Sequence, residues 1–109
     1  MAWLLRDGEV LAALEVATSF GDRLRGLLGR DGIDGALLLR PARSVHTVGM
    51  RFPIDVAFCD EELAVVATLC LRPYRMTAPR RRARVVIEAE AGAFERWRLR
   101  PGDRLEVRG

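Results

Sequence analysis

The residues best suited to chemistry lie in "SVHTVGMRFPIDVAFCD", where the only histidine, His46, precedes Met50, Arg51 and, beyond a proline, Asp55. An imidazole works as a general base near neutral pH once a carboxylate fixes its tautomer, so His46 oriented by Asp55 is a minimal hydrolase-like pair. The same four residues, His46, Met50, Arg51 and Asp55, are candidates for the wall of a ligand pocket. A His-x-x-x-Met pair also suits a soft metal such as copper, but two residues seldom define a site, and neither Ser-His-Asp nor zinc-type spacing accompanies them. No catalytic residue, metal ligand or cofactor is assigned from this stretch. The competing reading is structural: Asp55 bonds backbone amides near the Phe52-Pro53 turn or pairs with Arg43 or Arg51, while His46 bonds a carbonyl.

A second stretch, "RPYRMTAPRRRAR" at residues 72–84, holds six of the 18 basic residues, two prolines, Tyr74 and no acid. Arg75, Arg80, Arg81, Arg82 and Arg84 are candidates for binding a polyanion, with Tyr74 available for stacking. The alternative is a solvated loop that keeps the protein soluble. No helix-turn-helix, zinc finger or RNP motif marks a dedicated nucleic-acid domain, so nucleic acid is a disfavoured partner beside phosphate and acidic protein faces.

The elements that must position these residues follow from periodicity. The chain has 109 residues, enough for one domain with one core, and half of them are apolar. "EVLAALEVA", "IDVAFC", "LAVVATLCL", "RVVIEAE" and "RLEVR" read as strands. In "IDVAFC", Ile54, Val56 and Phe58 share one face and Asp55, Ala57 and Cys59 the other. Phe20, Leu24, Leu27 and Leu28 fall on one face of a helix at 19–28, with Ser19 and Asp22 in capping positions and Gly29 as a stop. A helical turn is expected near 92–98, then a type II turn at Pro101-Gly102. No βαβ spacing appears. The fold class is α+β, mainly antiparallel β, a compact sandwich or distorted barrel. Trp3, Trp97, Phe20, Phe58 and Phe94 read as core or half-buried anchors.

In the hairpin around Glu61 and Glu62, Cys59 should face Ala64, far from Cys70. Both cysteines are therefore read as free thiols. The net charge of +3 rests entirely on arginine, with no lysine, asparagine or glutamine. That pattern resembles codon bias in a GC-rich genome, so the position of the charge is more informative than its sum. The start "MAWLLRDGEV" has no basic n-region or cleavage pattern, and no apolar run approaches a membrane span; a bacterial, cytoplasmic protein without membrane insertion is expected.

"RLRGLLGR", "GMRFPIDVAFCD" and "VVIEAEAGAFERWRLRPGDRLEV", in this order over about residues 9–108, resemble the prokaryotic family called domain of unknown function 192. The resemblance implies a small β-rich fold and no established activity. The family's middle block often reads Trp-Met-Lys-Asn-Thr before Pro-Leu-Asp; Met50, Pro53 and Asp55 match it, and His46 belongs to a variant of the pattern. Arg98 stands where relatives commonly have glycine. Many relatives are exported, whereas no leader is expected in this chain. The resemblance also implies pilus-assembly or secretion machinery as a partner. Together these readings point to a non-enzymatic binding or accessory module with a pocket around His46, Met50 and Asp55. The alternatives are polyanion binding through loop 72–84 and a hydrolase-like enzyme using His46 and Asp55.

Overall fold

The computed structural model describes residues 2–19, 21–22 and 26–109. Its strands are β1 (Ala2–Arg6), β2 (Glu9–Ala17), β3 (Ala36–Leu39), β4 (Ile54–Cys59), β5 (Val65–Leu71), β6 (Val85–Glu90) and β7 (Glu106–Arg108); a short helix, α1 (Ala93–Trp97), precedes β7. The strands form one sheet in the order β5-β4-β6-β3-β2-β1-β7. The mainly antiparallel α+β class read from the sequence is the class observed.

One pair departs from that reading. β2 and β3 run parallel, Leu14 beside Ala36 through Ala17 beside Leu39, because residues 18–35 form a crossover of the length that parallel strands need. Gly35 makes the close approach possible. It has φ +85°, and a Cβ there would stand 2.4 Å from the Ala13 carbonyl oxygen, so only glycine fits.

Alternation along β4 and β6 sends side chains to two cores, one on each face of the sheet. On the helix face, Leu38, Ala57, Ile87 and Ala89 pack with Ala93 and Phe94 of α1 and with Leu99. On the loop face, Leu37, Val56, Phe58 and Val86 pack under Leu27, Ile33, Val45 and Met50. Strands covered on both sides carry few polar residues, and all six residues of β4 are buried.

The two ends of the sheet meet at one corner. The Val65 amide donates to the Asp103 carbonyl (2.7 Å), and the Gly102 and Leu105 amides donate to Val65 and Leu63 (2.8 and 2.9 Å). All seven strands lie in one sheet with a core on each face.

Helix α1 occupies the expected 92–98 region. Arg98 ends it at φ 55°, ψ 40°, the left-handed conformation implied by the family's glycine. Of the expected helix at 19–28, the Asp22 amide donates to Ser19 Oγ (3.1 Å) and the Gly26 amide to the Asp22 carbonyl (2.9 Å). Leu27 is buried on the loop face; Phe20 and Leu24 lie outside the described residues. In the β4–β5 hairpin a register shift after Phe58 sets Cys59 opposite Val65, not Ala64.

Candidate functional site

Outside the sheet, residues 42–47 and 74–84 lie side by side as an irregular ribbon. The Ala42 amide donates to Arg84, Arg80 to Arg43, Thr77 to Val45 and Thr47 to Arg75, at 2.7–2.9 Å; His46 and Met76 form an isolated bridge. Thr47, with no exposed surface, holds the ribbon together. Its hydroxyl donates to the Arg72 carbonyl (2.6 Å) and accepts from the Arg75 amide (2.8 Å), while its carbonyl accepts from the Tyr74 and Met50 amides. A hydroxyl with its donor and acceptor capacity used inside a core is well placed to fix two loops.

The ribbon and its flanks, residues 40–51 and 72–84, carry nine arginines, His46 and no acid. Three arginines come from the first segment and six from the second. Only Arg51 has a carboxylate partner among the described residues, Asp31 at 2.8 Å. Arg75, Arg80, Arg81 and Arg82 are exposed; Arg80 also lies over the Phe58 ring at 4.8 Å, a cation–π geometry. Arg84 instead turns back onto the carbonyls of Arg81 and Ala83. Tyr74 and Met76 project beside them, 66% and 73% exposed.

The other predicted residues separate. Met50 is buried in the loop-face core, His46 is exposed on the ribbon, and Arg51 pairs with Asp31 rather than Asp55. Asp55 points to the opposite face of β4 from Ile54, Val56 and Met50. There its Oδ2 accepts from the amides of Gly92 (3.0 Å) and Phe94 (3.1 Å), anchoring the start of α1. A carboxylate that takes orphan amide groups at a helix start is a strong structural bond. It bonds backbone amides as the structural reading expected, but they belong to α1 and not to the Phe52-Pro53 turn.

The thiols offer little nucleophilic chemistry. Burial, with Asp60 nearby, pushes Cys59 up to about 12. Desolvation and the Asp55 carboxylate opposite it raise Cys70 as well. A protonated thiol is a poor nucleophile. Among the described residues, no three of His, Cys, Asp and Glu gather in a metal-binding group. A cavity of about 290 Å³ opens between Ala13, Gly35, Ala93 and Trp97. None of the predicted site residues lines it, and its Arg96 is already paired with its Glu90 at 2.8 Å.

Two residues escaped the sequence reading. Thr47 gives no local signal, since its partners lie 25 and 28 residues away. Glu88 did leave one: a lone carboxylate in the middle of "VVIEA" must enter a covered face. It sits between Leu37 and Val56, 6% exposed, and burial pushes it up to about 7.

The match to known proteins spans this whole arrangement, strands, ribbon and α1 alike. The family DUF192, described as "Uncharacterized ACR", matches residues 2–107. This chain belongs to DUF192. A UPF0127 protein of Pyrococcus furiosus is 32% identical over 103 residues, covering 90% of this chain and 89% of that one. The crystal structure of a protein of unknown function from Novosphingobium aromaticivorans superimposes with a TM-score of 0.81 at 19% identity, over 96% of this chain and 82% of the other. A proposed transcription regulator from Sinorhizobium meliloti gives a TM-score of 0.83 at 21% identity, over 97% and 91%. These two solved structures share the fold of this DUF192 chain.

Proposed function

We propose that this DUF192 chain is a non-enzymatic binding module whose basic ribbon takes a phosphate-bearing polyanion, a single-stranded nucleic acid fitting best. One observation carries the reading: two loops distant in sequence are bonded into one ribbon that carries Arg43, Arg75, Arg80, Arg81, Arg82 and Arg84 and no acid. Arg75, Arg80, Arg81 and Arg82 are the phosphate contacts, and His46 lies on the same ribbon. Exposed Tyr74 supplies a ring on which a base can stack. A ribbon tied by backbone bonds and a buried hydroxyl holds its charges in place before binding, which lowers the ordering cost. The hydrolase-like pairing has less support, because the Asp55 carboxylate serves the amides of Gly92 and Phe94 on the far face from Met50.

The test is fluorescence anisotropy with a labelled single-stranded oligonucleotide across a salt series. Neutralising about five phosphates on a single strand gives a slope of log K against log salt near −3.5. A flat slope, or no binding at low salt, would overturn the reading.

A further inference from the structure

β5 is the terminal strand of the sheet, and its outer edge is open. Only Val65 at its start is bonded on that side, to the segment before β7; from Val66 to Leu71 it pairs with β4 alone among the described residues. The edge sequence Val66-Ala67-Thr68-Leu69-Cys70-Leu71 contains no charge and no proline. Charges, prolines and bulges are the usual guards of an edge strand; the register shift at Val66 leaves Ala67 to Leu71 without any of them, and such a run is a template for another strand. At the far end of the sheet, β7 is guarded by Glu106 and Arg108, paired at 2.8 Å.

We infer that the β5 edge pairs with the β5 edge of a second copy of this chain, antiparallel about a two-fold axis near Thr68 and Leu69. The charges flanking the strand select this occupant and this direction. The turn before β5 is acidic, with Glu61 exposed beside Asp60, whose Oδ1 accepts the Glu62 and Ala64 amides, and Glu62, paired with Arg104, and the segment after it is basic, with exposed Arg72. An antiparallel copy sets each acidic end against the other copy's basic end, twice over, whereas a parallel copy would set like against like. A two-fold contact of this kind is self-complementary and closes at the dimer. Met76, exposed just beyond the strand, extends the contact past the ladder toward the roughly 1,000 Å² that a specific interface buries.

The experiment is sedimentation equilibrium of nucleic-acid-free protein from micromolar to several hundred micromolar, with hydrogen exchange read at both extremes. Wild type is expected to dimerise over this range, with slowed exchange at residues 66–71 in the concentrated sample. Thr68→Lys places two like charges beside the axis and is expected to weaken the dimer about tenfold or more. Glu61→Arg weakens it, and adding Arg72→Glu to that chain restores it by exchanging the two ends. Circular dichroism of each variant checks that the fold persists. Protein that stays monomeric throughout, a dimer constant unmoved by Thr68→Lys, or an edge protected only by an added unrelated peptide would overturn the inference.

Discussion

Two arginine-rich regions of the molecule use the same side chain in opposite ways. Around α1 and β7, Arg6, Arg96, Arg104 and Arg108 each have a carboxylate within 3.4 Å. Arg6 is the most committed of them, bonding Asp103 at 3.1 Å and the carbonyls of Trp97 and Arg98 at 2.6 and 3.2 Å, and so tying β1 to the end of α1. On the ribbon and its flanks, nine arginines have one ion pair among the described residues, Arg51 with Asp31, between exposed partners. The first region matches each of these arginines to a carboxylate of its own chain, and the Arg6–Asp103 pair is partly buried. The second leaves it facing outward, held by a threonine hydroxyl and main-chain bonds that carry no formal charge. Charge without a carboxylate partner in its own chain is free to act on another molecule, whereas paired surface charge is worth roughly 0–1 kcal/mol to the fold and is neutralised toward anything outside.

The largest effect expected from breaking this contrast is at Thr47. Thr47→Val keeps the shape but leaves the Arg72 carbonyl and the Arg75 amide without their side-chain partner, which should cost about 3 kcal/mol. Urea denaturation gives the loss, and oligonucleotide affinity should fall with it because the ribbon loosens. An unchanged midpoint would mean that the ribbon is held elsewhere.

Glu88 sharpens a comparison between faces. Asp55 on β4 and Glu88 on β6 are both buried, but Asp55 is satisfied by two amides whereas Glu88 has no hydrogen-bond or ion-pair partner among the described residues. The folded carboxyl titrates near 7 against an ordinary value of 4.5, so the native state holds its proton more tightly than the unfolded chain. This contribution to stability is complete below pH 4.5 and is lost as pH rises through the folded value. The loss amounts to about 3 kcal/mol by a pH of about 8. Glu88→Gln should flatten that decline when stability is followed across the range, and an equally steep profile would remove Glu88 as its source.

A smaller effect is expected at Arg98. Its φ of 55° is costly for a residue with a Cβ, and Arg98→Gly should raise stability by about 1 kcal/mol in thermal or urea unfolding. No gain would mean that the arginine side chain compensates for its backbone.

What the sequence made legible was local. Strands β2 and β4 fall where alternation and apolar runs place them, and α1 falls in the short stretch between "VVIEAE" and Pro101-Gly102. The acid-free run 72–84 is visible as composition. The rest depends on pairings far along the chain. Asp55 reads as a neighbour of His46, but its partners stand 37 and 39 residues further on and on the opposite face. The parallel β2–β3 pair and the union of residues 42–47 with 74–84 are likewise tertiary. Side-chain alternation gives the face of a strand but not its neighbour, and no local pattern brings Arg43 beside Arg80.

The most direct measurement compares the triple variant Arg80→Ala/Arg81→Ala/Arg82→Ala with Arg6→Ala, recording oligonucleotide affinity and urea stability for both. The triple variant is expected to lose about a hundredfold in affinity at low salt, flatten the salt slope by about two to three, and unfold within about 0.5 kcal/mol of wild type. Arg6→Ala should lose about 2 kcal/mol of stability and keep its affinity. Equal affinities for the triple variant and wild type, or a loss shared by Arg6→Ala, would contradict the assignment of binding to the ribbon.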